Sequence, residues 1–315
     1  MRETIVIGKM LLGLGTALQL TMASYGDCAA SSKTSFTTIY AFGDSLSDAG
    51  NDYIASYGLI PTPLIYSRGR FSNGNVWVQN LASKLGLGTL KPSLNGGHDF
   101  AYGGAETGQD PLHTVNPTDL PSQLAQFLLN EPHPSAGALY TLSIGANDLL
   151  DAIPEYASNE AEALADVKAA VANEVTFVSA LAADGAKNFL IMNVPDLGKT
   201  PEEAGDAATA SYLTSLYNTQ LKSALGTLAA ADNINIHVLD AYTLIDDGVA
   251  DPAKYGLKNV TTPVWTGNYE DPLSGTLNAY GKAQDLYLFF DHLHPTETGH
   301  KILEKAGVAT LKKPL

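Results

Sequence analysis

The chain has 315 residues, 45% of them hydrophobic and 16% charged, with a mean hydropathy of -0.01, which excludes a disordered or fibrous protein. Its formal net charge of -15 and pI of about 4.7 set it against phosphate backbones, so no nucleic acid partner is expected. The same charge weakens electrostatic docking on anionic lipid.

In chain order, residues 1–30 read as a signal peptide. Arg2 and Lys9 supply positive charge, and the mostly apolar run 10–23 is short for a bilayer span but suits a signal-peptide core. Small residues at Ala23, Ser24, Ala29 and Ala30 offer cleavage points, so the expected destination is secreted or periplasmic. Cleavage near Ala29 removes Arg2, Lys9, Glu3 and Asp27, which leaves the net charge at -15. It also removes Cys28, the only cysteine, so the mature chain has no disulfide or thiol chemistry. Tyr25-Gly26-Asp27 is the wrong context for a lipid anchor on Cys28. No later segment is long and apolar enough to be an integral membrane segment of the mature chain.

Residues 36–315 read as a single domain. A β-branched and aromatic strand over 38–42 stops at Gly43, and Asn73 is placed to cap a helix with Val76, Trp77, Leu81 and Leu85 on its apolar face, ending at Gly86. A strand over 139–144 stops at Gly145. A helix over 161–183 carries Leu164, Val167, Val171, Val175, Val178 and Leu181 on one stripe, with Gly185 as its stop signal. The apolar run 188–194 suits a strand covered on both faces. A second long helix over 207–231, strands over 234–239 and 286–290, and a helix over 296–311 complete the pattern. Strands alternating with helices predict an α/β fold, a three-layer α/β/α sandwich with a mainly parallel sheet. Two stretches, 86–120 and 251–285, lack regular signals and are expected near the site, at the carboxyl ends of strands.

Four sequence blocks could carry chemistry. Gly43-Asp44-Ser45-Leu46 ends the first strand, where a turn can lift a serine hydroxyl above the sheet; nothing matches the G-x-S-x-G elbow. Asp291-His292-Leu293-His294 follows the last predicted strand. That spacing lets Asp291 accept from one ring nitrogen of His294 while the other faces outward as a base. His292 is the competing base, but its side chain should diverge. Gly103-Gly104-Ala105 offers a backbone N–H with no side chain in the way, and Gly145-Ala146-Asn147-Asp148 puts an amide at the same sheet edge, two parts of an oxyanion hole. Asp44, Asp48 and Asp148 read as turn residues, and Tyr40, Phe42 and Trp77 as core; Trp265 and Tyr269 are candidates for an acyl groove.

Taken in order, the four blocks resemble the GDSL (SGNH) esterase/lipase family, and Arg70-Phe71-Ser72-Asn73-Gly74 and Val194-Pro195-Asp196-Leu197-Gly198 resemble its larger secreted lipase and phospholipase members. The resemblance implies a flavodoxin-like sandwich that acts on small-molecule or lipid esters with no cofactor and no metal. It makes Ser45 the nucleophile, His294 its base and then acid, Asp291 the group that orients His294, and Ser45, Gly104 and Asn147 the oxyanion hole. Acyl transfer from the same acyl-enzyme is the alternative. A metal-dependent phosphoesterase using Asp44, Asp291, His292 and His294 is disfavoured, because Asp-x-x-His lacks zinc-protease spacing and no His or Cys cluster completes a shell. An inactive binding module would not need the intact triad.

Overall fold

The computed structural model describes residues 36–108 and 118–313; the predicted signal peptide, with Cys28, lies outside them. Strands β1 (Ile39–Gly43), β2 (Leu139–Ser143), β3 (Asn188–Met192) and β4 (Asn235–Leu239) form one parallel sheet in the order β1-β2-β3-β4. Their register aligns Gly43, Ser143, Met192 and Leu239 along the carboxyl edge. Along the other side of β1, the Ala41 N–H donates to the His98 carbonyl (3.0 Å), and the Phe100 and Tyr102 N–H groups donate to the Ala41 and Gly43 carbonyls (2.7 and 3.1 Å). The chain therefore leaves β1 to one side and returns as β2 on the other, the switch point at which open α/β sheets bind ligands.

The helices are α1 (Asn51–Ala55), α2 (Trp77–Lys84), α3 (Leu120–Asn130), α4 (Ala146–Tyr156), α5 (Glu160–Ala183), α6 (Ala207–Asp232), α7 (Ala241–Ala250) and α8 (Glu297–Thr310). Side chains alternate across the sheet. Tyr40, Phe42, Tyr140, Leu142, Phe189 and Ile191 share one core with α3 to α6, while Ile39, Ala41, Leu139, Leu190 and Met192 share the other with α2 and α8. Both faces are covered, which accounts for the burial of β1 to β3 and for the three layers, while β4 at the edge is only partly buried.

Two expectations need correction. Residues 286–290 are not a strand of the sheet. Their backbone groups are taken by the neighbouring loop and by their own turn: Leu288 N–H donates to Asn259, Val264 and Trp265 N–H donate to Phe289 and Phe290, and Phe290 N–H donates to His294. Nor does Asn73 cap α2, which begins behind Val76 with its Trp77 N–H donating to His300 Nδ1 (3.1 Å). Asn73 Oδ1 instead accepts from the Glu297 N–H (2.7 Å) at the start of α8.

Candidate active site

At the end of β1, Gly43 has φ +128, and a Cβ there would lie 1.8 Å from the Ser143 carbonyl oxygen, so only glycine fits. The Gln123 amide accepts from the Gly43 N–H (2.9 Å) and donates to its carbonyl (2.8 Å). The chain then turns with the Ser47 and Asp48 N–H groups on the Asp44 carbonyl (3.0 and 3.1 Å), and Ser45 stands on this turn, largely buried.

A second turn meets it. Asp291 Oδ1 accepts from the N–H groups of Leu293 (2.9 Å) and His294 (2.7 Å), an Asx turn that folds His294 back over the carboxylate. His294 Nδ1 lies 2.9 and 2.8 Å from Asp291 Oδ1 and Oδ2, and His294 Nε2 lies 2.8 Å from Ser45 Oγ. An ionised carboxylate only accepts, so Nδ1 carries the proton and Nε2 is left to accept from the serine. Burial pushes the Asp291 carboxyl up, but the His294 ring and the hydrogen bonds it receives hold it below the ordinary value. His292 turns away, with its Nε2 3.1 Å from the Thr266 carbonyl oxygen, so the four-residue metal set considered above does not converge.

Gly104 sits at φ +72 with open space over its Cα. Asn147 lies in the first turn of α4, a helix that opens where the sequence suggested only a strand-ending turn. One of its amide hydrogens goes to the Ala105 carbonyl (2.8 Å), which leaves the second free for a ligand. Ser45, Gly104, Asn147 and His294 border one open cleft of about 390 Å³, with Asp291 behind His294. A smaller apolar pocket of about 30 Å³, which shares Ser45, Asn147, Leu293 and His294 with that cleft, is walled by Leu46, Leu197, Ile245, Phe289 and Leu303. Tyr269 lines the cleft; Trp265 does not, being buried in a separate cluster with its Nε1 donating to the Asn268 carbonyl.

Several neighbours escaped the sequence reading. The Tyr66 hydroxyl donates to Asp291 Oδ2 (2.7 Å), and the Phe71 ring lies 5.2 Å from that of His294. Phe71 belongs to a block the sequence flagged, whereas nothing local marked Tyr66. On α5, Glu174 is fully buried and accepts from the Tyr217 hydroxyl (2.5 Å). An acid three residues after Val171 and four before Val178, on the buried stripe, was the available signal.

Burial, opposed by the Tyr217 hydrogen bond and reinforced by the charges of Asp148 and Asp44, raises the Glu174 pKa to about 8. Burial likewise raises Asp44 to about 7 and Asp148 to about 6. A carboxyl that holds its proton more tightly when folded stabilises the chain below its unfolded pKa, and that contribution drains away as pH rises through the folded value. The melting temperature should therefore fall as pH rises through about 6 to 8, and fall less steeply in Glu174→Gln. Thermal melts across that window check this; equal slopes would contradict it.

The profile of the GDSL-like lipase/acylhydrolase family matches residues 39–306. The thermolabile hemolysin of Vibrio parahaemolyticus is 30% identical over 284 residues, covering 84% of this chain and 61% of that protein. The phosphatidylcholine-sterol acyltransferase of Aeromonas hydrophila is 28% identical over 243 residues, covering 76% of this chain and 69% of that protein. The chain thus matches about two thirds of the length of these relatives. An acetylxylan esterase structure from Geobacillus stearothermophilus has a TM-score of 0.48 at 14% identity, covering 88% of this chain and 95% of its own.

Proposed function

This chain belongs to the GDSL-like lipase/acylhydrolase family, and on that premise we propose that it cleaves carboxylic acyl esters through an acyl-enzyme on Ser45. The observation that carries the reading is the hydrogen-bonded series from Ser45 Oγ to His294 Nε2 and from His294 Nδ1 to Asp291. Ser45 Oγ attacks the ester carbonyl carbon as its proton passes to Nε2. The charge that develops on the carbonyl oxygen meets the N–H groups of Ser45 and Gly104 and the free amide hydrogen of Asn147. His294 then gives the proton to the departing alkoxide oxygen, and a water activated by the same nitrogen releases the acid. The small apolar pocket suits the acyl end and the open cleft the alcohol. The predicted signal peptide supports export as the working location.

A fixed donor that meets charge only in the transition state raises kcat rather than affinity. Hydrolysis of p-nitrophenyl acetate by the wild type, with a chelator present, is the first expected result. Asn147→Ala should then lower kcat by about 10²–10³-fold with little change in KM. A folded Asn147→Ala enzyme with normal kcat would remove Asn147 from the oxyanion hole, and an inactive wild type would sink the reading.

A second reading, acyl transfer to an alcohol, is favoured by the relationship to a protein named as an acyltransferase and by a cleft with room for an acceptor. It uses the same acyl-enzyme. Partitioning of product between acid and new ester when an alcohol is added separates the two.

A further inference from the structure

We propose that the open cleft beside Ser45 is a subsite for a cationic group, so that the alcohol half of the substrate carries an alkylammonium on a short tether. The proposal rests on the hydrolase reading and deepens it. Among the described residues, the walls of this cleft include two acidic side chains, Asp52 and Glu270, and two aromatic rings, Phe71 and Tyr269, and no lysine or arginine. Arg70, next in sequence to Phe71, is turned elsewhere: its Nε donates to Gln79 Oε1 (3.1 Å) and its Nη1 to the Arg68 carbonyl (3.0 Å).

The four groups close on one another. A Cβ built on Gly103 would lie 2.5 Å from Asp52 Oδ2 and 2.5 Å from Cε2 and Cζ of the Phe71 ring, so the carboxylate and the ring edge crowd one point beside Gly104. The Tyr269 ring meets Phe71 edge to face at 5.3 Å. Burial raises the Tyr269 phenol, and the charges of Glu270, Asp52 and Asp291 raise it further. Asp52 itself is pushed up to about 8, by burial and then by the like charge of Asp48, so in the empty cleft it keeps its proton at neutral pH. An ammonium in the cleft favours the ionised form of Asp52 and lies beside the half-exposed Tyr269 ring for a cation–π contact.

Position sets the tether. The Phe71 ring also lies 5.2 Å from His294, the group that protonates the departing alcohol oxygen, so the cation site is one ring away from that oxygen. An anionic alcohol would meet the Glu270 carboxylate and hold no such advantage.

The test compares acetylcholine with 3,3-dimethylbutyl acetate, which has the same shape with carbon in place of the charged nitrogen, on the full-length protein, with p-nitrophenyl acetate as reference. The expected result is a kcat/KM ratio of about tenfold in favour of the cation. That ratio should fall to near one in Asp52→Asn/Glu270→Gln. Because Asp52 also accepts a hydrogen bond from Gly103, Glu270→Gln alone, on the exposed rim, provides a second arm and should lower the ratio by itself. Each variant's turnover of the neutral ester cancels any general loss of activity. Turnover of p-nitrophenyl acetate with equal or no turnover of the pair overturns the cationic subsite alone, as does a ratio that survives both substitutions. No turnover of any of the three overturns the hydrolase reading with it.

Discussion

Replacing Ser45 with alanine is expected to lower kcat for p-nitrophenyl acetate by about 10⁴–10⁶-fold, with KM and melting temperature near those of the wild type. Ser45 supplies the only oxygen within 2.8 Å of His294 Nε2 among the described residues, so without it the base has a solvent water and no held nucleophile. The oxyanion donors at Gly104 and Asn147 and the cleft walls remain, which is why some acceleration over water survives. The hydroxyl is small and borders the cleft, so its loss opens no core cavity. Residues acting as a unit are not additive: adding His294→Ala to Ser45→Ala should cost little more. Steady-state kinetics and thermal melts check this together. A loss below about 100-fold would contradict a dominant role for Ser45.

Asp291→Asn should cost about 10⁴-fold in kcat, at the upper end of the range for a triad whose imidazole is left in the wrong tautomer. Asp291 Oδ1 holds the turn by accepting two backbone N–H groups, a task an asparagine oxygen can continue. The amide nitrogen then falls at the Oδ2 position, facing His294 Nδ1 and the Tyr66 hydroxyl. Two donors cannot share one hydrogen bond, so the imidazole moves its proton to Nε2 and can no longer accept from Ser45. Folding is largely kept and the chemistry is lost. Near wild-type kcat would show that His294 is oriented by some other acceptor.

The contrast between these sites shows what the chain discloses residue by residue. Asp291 and His294 are three apart, and one turn decides their meeting, so their pairing is legible in the spacing. Ser45 and His294 are 249 residues apart, and only the parallel sheet and its switch point bring them together; the sequence points there through the order of the blocks and their resemblance to a family. Strands β1 to β3 were readable because a doubly covered sheet demands apolar runs, and the edge strand β4 because Ile236 and Val238 alternate with polar residues. The run 286–290 has the same composition and no ladder, since composition does not say which backbone groups a loop will claim. Helices α3, α4 and α7 went unread as well, α4 because Gly145-Ala146-Asn147-Asp148 looks like a turn until its following residues are seen to be helical. Tyr66 reaches Asp291 from a distant segment, and no local pattern announces such a contact.

The central claim is that Ser45 carries the acyl group. A fluorophosphonate forms a stable bond to an activated serine oxygen and to few others, so labelling followed by peptide mass mapping tests it most directly. The expected result is one adduct per chain, on Ser45, abolished in His294→Ala. An adduct on Ser47 or Ser143 instead, or none on an enzyme that still turns over esters, would contradict it.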